Sequence, residues 1–212
     1  MKNLGPAVQG FLFMSSNQQR SSLRKQLRQQ RNSLDIDTQL QHSISLAEQL
    51  NNCSLYKRSK KIAMYLAADG EIDTEYLIHN AWGDNKKVYL PVLAPFASRL
   101  YFAPYTPDCV LKPNKFGIPE PHVHPRDLLK PQQLNLILMP LVGFDTSGNR
   151  LGMGGGFYDR SLSFYAHRKH THQPYLIGLA HQLQCVDQLP HQPHDVPMHM
   201  IATEQGIYNT NI

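Results

Sequence analysis

Proline divides this chain more sharply than any other residue. None occurs from Ala7 to Leu90, whereas ten of the fifteen fall between Pro91 and Pro140. Inside a helix, proline removes a backbone hydrogen bond and clashes with the preceding turn. The first stretch can therefore hold long helices, and the middle must be strands joined by turns. Arg20, Arg24, Arg28 and Arg31 recur at helical spacing, with Leu23, Leu27 and Leu34 on the adjoining stripe. That pattern predicts an amphipathic helix with one cationic edge. A second helix is expected from Asp37-Thr38, with Leu40, Ile44, Ala47 and Leu50 on its apolar face.

Downstream, short apolar runs alternate with helical patterns. KIAMYLAA (61–68), KKVYLPVL (86–93), LNLILMPLVGF (134–144), YLIGLA (175–180) and MIATEQGIY (200–208) read as strands, mostly buried ones. RLYFAPY (99–105) alternates as a half-exposed edge strand does. TEYLIHNAWG (74–83) and a segment from about Gly156 to Lys169 read as helices between them. The expected architecture is α/β, a single three-layer domain with a mostly parallel sheet flanked by helices. It should occupy residues 20–212, with 1–19 a disordered tail or a leader upstream of a working start at Met14.

A chain of 212 residues can bury a full core without staples. Cys53, Cys109 and Cys185 are odd in number and far apart, which suits a reducing, cytoplasmic setting. Gly5, Pro6 and Gln9 interrupt the N-terminal apolar stretch, so no signal peptide is expected, and no apolar run approaches membrane-spanning length. The net charge of +5 is a local device. Residues 20–31 hold five of the 21 Lys and Arg and no acid, leaving the rest balanced at 16 against 16. A protein that coats nucleic acid would spread its charge over a face.

The chemistry should lie in GFDTSGNRLGMGGGFYDR (143–160), where glycines at 148, 152 and 154–156 separate a buried strand from a helix start. In parallel sheets ligands bind beyond the carboxyl ends of strands. Glycines there let backbone N–H groups converge on an anion, helped by the positive end of the next helix. The spacing is neither that of a P-loop nor a Rossmann fingerprint. A tight connection with glycines for turn geometry alone is the plainer alternative. The flanking Arg150 and Asp159 favour phosphate, which wants a cation, and phosphate-bound Mg²⁺, which wants a carboxylate.

This run resembles the signature of the 5-formyltetrahydrofolate cyclo-ligase family. RxxLRxxLRxxR (20–31), MYLAADGEIDT (64–74), KFGIPEP (115–121), IGLAHQLQ (177–184) and HQPHD (191–195) follow in that family's order. The resemblance implies an ATP- and Mg²⁺-dependent enzyme that turns 5-formyltetrahydrofolate into 5,10-methenyltetrahydrofolate. A phosphoryl group moved onto the formyl oxygen makes it a leaving group, and N10 then closes the ring. It further implies that Arg20, Arg24, Arg150, Gly152, Gly154, Gly155, Gly156 and Tyr158 cradle ATP. Leu66, Glu71, Phe157 and Tyr158 would border the folate, with Glu71, Arg150 and Tyr158 acting in catalysis and Asp159 and Asp195 near the metal. Arg20 stands where the family commonly has Lys, exchanging a point charge for a planar fork.

Taken without the resemblance, each of these residues has a plainer role: Glu71 a helix-start charge, Phe157 and Tyr158 core aromatics, Asp195 a turn cap. Arg28 and Arg31 are expected to be surface charges. Seven of eleven histidines follow residue 166, but HxxH at 191–194 lacks the further ligands of a zinc site. The expected partners are small molecules, with a monomeric chain and neither nucleic acid nor membrane. Two alternatives remain at this point: an RNA-binding module using the 20–31 helix, and a kinase-like enzyme with another acceptor.

Overall fold

Ser15 opens the first helix: its hydroxyl accepts from the Gln18 amide, and Gln18 Oε1 accepts from Ser15 N, a reciprocal capping box. The structure is a computed structural model that describes residues 15–93, 98–114, 117–167 and 174–210. Helix α1 spans Ser16–Asn32, so residues 16–19, expected in a tail, are its first turn. Residues 1–14 of that tail, with Met14, lie outside the described residues, as do Lys115 and Phe116 of the KFGIPEP segment. Helix α2 spans Ile36–Asn52 and is capped by Asp35, which accepts from Thr38 N at 2.8 Å, two residues before the expected start. Helix α3 (Ser54–Arg58) leads into strand β1 (Lys61–Ala63), helix α4 (Glu75–Gly83) and strand β2 (Lys87–Leu93). Then come β3 (Leu100–Tyr105), β4 (Leu136–Pro140), α5 (Phe157–Leu162), β5 (Tyr175–Leu179), β6 (Met200–Thr203) and β7 (Gly206–Asn209).

These seven strands form one sheet in the order β7-β6-β5-β4-β1-β2-β3. The five inner strands are parallel, and β3 and β7 each add an antiparallel edge. Four expected elements are shorter than their runs, and of the 61–68 run only Lys61–Ala63 is strand. The 134–144 run ends as β4 at Pro140, and Gly143–Phe144 turns off to pair with Arg150–Leu151. The 200–208 run folds back at Glu204-Gln205 into the β6–β7 hairpin. The helix expected to reach Lys169 stops at Leu162 and continues as a 3-10 segment over 163–167, Lys169 itself lying outside the described residues.

Alternate residues of each strand serve opposite faces. Ile62, Leu136, Leu138, Ile177 and Ala202 meet α2, α3 and α4 through Leu46, Leu50, Tyr56, Leu77 and Ile78. Ala63, Ile137, Met139, Leu176 and Ile201 face the other way, toward Leu162 of α5, Phe144 and Met198. Both faces are thus covered, as near-continuous apolar strands require.

Helix α1 belongs to neither layer. Its buried residues are Leu27 and two arginines, Arg20 and Arg31, so polar bonds rather than an apolar stripe must hold it. It lies across the carboxyl ends of β1 and β4. There Arg31 donates to Leu141 O at 3.1 Å and to Asp69 O at 2.7 Å. Gly143 makes room for this docking, since a Cβ there would lie 2.5 Å from Leu27 Cδ1.

Candidate active site

Strand order reverses between β1 and β4: the chain adds β2 on one side of β1 and β5 and β6 on the far side of β4. The segments leaving two such strands diverge and open a crevice, where open α/β sheets bind ligands. Here they carry Glu71 after β1 and the glycine-rich run after β4, with α1 crossing both.

The glycine-rich loop is built around Arg150. Its guanidinium is buried, its Nη2 donates to Asp159 Oδ1 at 2.5 Å, and its Nη1 is within 4.0 Å of where a Gly152 Cβ would be. Its Nε is a buried N–H with no partner among the described residues. Such a group costs roughly 1–3 kcal/mol when left unmade, so this donor is poised for an acceptor supplied from outside the chain. Arg24 Nε donates to Gly152 O at 2.8 Å, and its guanidinium carbon is 3.6 Å from where a Gly154 Cβ would sit. Gly154 (φ 99°) and Gly156 (φ 64°, at the start of α5) adopt backbone angles that side chains disfavour. An open concavity of about 620 Å³ beside this loop is lined by Arg24, Lys25, Arg28, Asn32 and Met153.

Glu71 is mostly buried, with Arg31 Nη2 at 3.8 Å and the Ala68 amide donating to its Oε2 at 3.2 Å. Burial raises its carboxyl above the ordinary value, and the Arg31 charge opposes that shift. Burial likewise pushes the Tyr158 hydroxyl well up, reinforced by the charge of Glu71 and opposed by Arg150. The Tyr158 hydroxyl thus feels the charges of both Glu71 and Arg150. Phe157 and Tyr158 pack on the α5 face of the core and Leu66 on the α2 face, all three partly exposed.

The two acids expected near the metal are already engaged by arginines. Asp195 binds Arg20 through both oxygens, at 2.6 and 3.3 Å, and also accepts from Gln192 N. Arg20 itself donates to Pro190 O at 2.6 Å, so it clamps α1 to the 190–195 loop. Asp195 is thus already neutralised by Arg20, although its Oδ1 carries only the 3.3 Å contact. Asp159 keeps one oxygen, Oδ2, without a hydrogen bond among the described residues.

Arg31 is not the surface charge expected, whereas Arg28 stays 43% exposed and is a surface charge with a partner. Arg31 is fully buried, and both arginines grip Asp69: Arg28 Nε at 2.6 Å and Arg31 Nη2 at 2.8 Å. These contacts hold the Asp69 carboxyl well below the usual carboxylate range. Sequence reasoning passed over Asp69. The Asp-Gly pair was its only signal, and both residues do adopt positive φ, 53° and 70°. Arg20 and Arg31 turn inward, while Arg24, Lys25 and Arg28 of the same helix line the open concavity.

The sequence model of the 5-formyltetrahydrofolate cyclo-ligase family matches residues 16–204. The chain belongs to that family. It is 41% identical over 184 residues to the 5-formyltetrahydrofolate cyclo-ligase of Haemophilus influenzae, covering 86% of this chain and 96% of that one. The Escherichia coli K12 protein of the same name is 39% identical, with 86% and 98% covered. Among solved structures, the Aquifex aeolicus 5,10-methenyltetrahydrofolate synthetase superimposes with a TM-score of 0.77 at 28% identity, over 91% of this chain and 93% of that one. Membership therefore spans the whole crevice, from α1 to the β6–β7 turn. Among the described residues, no helix is long and apolar enough to cross a membrane.

Proposed function

We propose that this chain converts 5-formyltetrahydrofolate to 5,10-methenyltetrahydrofolate, with ATP becoming ADP and phosphate. The observation that carries the reading is the buried Arg150 Nε, without a partner among the described residues, in a glycine-rich loop across the β1/β4 crevice from Glu71. A triphosphate suits that loop: it offers N–H donors and two guanidinium groups without side chains in the way. ATP supplies the phosphoryl group that turns the formyl oxygen into a leaving group. The protein's task is then to position two small molecules and exclude water, with little covalent chemistry of its own.

Arg150 and Arg24, with Gly152 and Gly154–Gly156, bind and neutralise the phosphates. Arg20 contributes by holding α1 against the loop that carries Asp195. Glu71, kept by burial partly disposed to hold a proton, offers a hydrogen-bond partner to the pterin or formyl-bearing nitrogen. Tyr158 stays a phenol at neutral pH and can donate from its hydroxyl, while Phe157 and Leu66 border the pterin. Magnesium would enter with the nucleotide, and Asp159 Oδ2 is the oxygen available to it. The three free cysteines suit a reducing, cytoplasmic setting.

The test is direct. Enzyme supplied with 5-formyltetrahydrofolate, ATP and Mg²⁺ should generate the absorbance of the methenyl product. No signal at micromolar enzyme rejects the activity, and ATP turnover with a different acceptor would transfer the assignment to a kinase-like reaction.

A further inference from the structure

Three potential ligands that the cyclo-ligase reading does not use converge behind the crevice, on the α2 side of the sheet. His42 comes from α2, His181 follows β5, and Glu204 sits in the turn between β6 and β7. One donor atom from each lies within 4.8 Å of the others. His42 Nδ1 and His181 Nδ1 are 2.9 Å apart, and Glu204 Oε1 is 3.9 Å from His42 Nδ1.

We infer that His42, His181 and Glu204 form a binding site for a first-row divalent transition metal such as zinc. The residue types suit such an ion, since two imidazoles and a carboxylate are a recurrent zinc set that leaves a fourth position open. The outer contacts suit it as well. His181 is fully buried, and its Nε2 lies 3.1 Å from Gly70 O. An N–H at Nε2 donating to that carbonyl leaves a lone pair on Nδ1, facing the cluster. Glu204 is held in the same way: its Oε2 accepts from Gln182 N at 2.9 Å, and its backbone carbonyl accepts from Gln49 Nε2 at 2.8 Å.

With His181 Nε2–H on Gly70 O, the short contact between the two Nδ1 atoms requires the shared proton to be carried by His42 Nδ1. Metal binding moves it to Nε2 of His42, whose ring is partly exposed. Tetrahedral geometry at bond lengths near 2.0–2.1 Å needs the two nitrogens about 3.3 Å apart. Reaching that from 2.9 Å takes only a small turn of the His42 ring. The plainer alternative is a structural His–His hydrogen bond, and it makes no prediction about metals.

Tag-free protein titrated with Co²⁺ distinguishes the two. The expected result is one equivalent bound, with the absorbance of a tetrahedral site that Zn²⁺ then displaces. Changing an outer contact of a metal site commonly weakens binding about 10–100-fold, so losing a ligand should cost at least as much. His42→Ala and Glu204→Gln, two separate variants, should each weaken binding by at least about 100-fold while far-UV circular dichroism stays that of the parent. A variant with His167, His170, His172, His191 and His194 all replaced by Gln should bind as the parent does. No binding by the parent overturns the inference, as does loss in the five-histidine variant with retention in His42→Ala. Because the readout is a spectrum, failure of the cyclo-ligase assay would not affect it.

Discussion

Replacing Arg31 with Met keeps an unbranched apolar stem in the buried site and removes the guanidinium with its charge. The guanidinium bonds Asp69 O at 2.7 Å, Asp69 Oδ2 at 2.8 Å and Leu141 O at 3.1 Å, and it stands 3.8 Å from Glu71. Breaking a buried charge pair costs about 3–5 kcal/mol. Two partners keep other donors, however. Asp69 retains Arg28 and Asn32, and Leu141 O retains Gln184 Nε2 at 2.7 Å. The lower end of the range therefore applies, about 3 kcal/mol. In a chain of this size that is a fall in Tm of roughly 6–12 °C. Urea unfolding should show the midpoint moving at constant slope, and the KM for folate should rise because Glu71 loses its nearby cation. Arg28→Met, whose side chain is 43% exposed, is the control and should cost no more than about 1 kcal/mol. A loss within about 0.5 kcal/mol for Arg31→Met, the range of surface substitutions, would refute the buried clamp.

Arg150→Ala removes the unpartnered donor and one phosphate counter-charge, so the apparent KM for ATP should rise by about tenfold or more, and unchanged ATP titrations would reject the cradle. Glu71→Gln should weaken folate binding more than nucleotide binding, measured by titration of each ligand separately; equal losses would indicate a folding defect. Because the folded-state pKa of Asp69 is depressed, its stabilising contribution is complete above its unfolded value and is lost as pH falls below about 4. Asp69→Asn should therefore flatten the pH dependence of stability on the acid side and lower stability at neutral pH, and a parallel acid limb in parent and variant would contradict this.

The fold was legible because its signals are local. Apolar strands such as LILMP (136–140) and YLIGL (175–179) carry their burial in their composition, and the absence of proline from Ala7 to Leu90 permitted the helices that cover them. The glycine run after β4 was legible for the same reason, since only glycine readily takes the backbone angles of Gly154 and Gly156. What the arginines do was not. Helical spacing is the same for a cation facing water as for one facing the end of a sheet, and each partner lies far off in sequence. Arg31 finds Asp69 38 positions away and Leu141 110 away, while Arg20 finds Asp195 175 away. The pairing of His42 with His181, 139 positions apart, is of the same kind. Local pattern determined which segments become strands, helices and turns. Only folding brought α1 onto the switch point, which decided which charges are neutralised within the chain and which remain for a ligand.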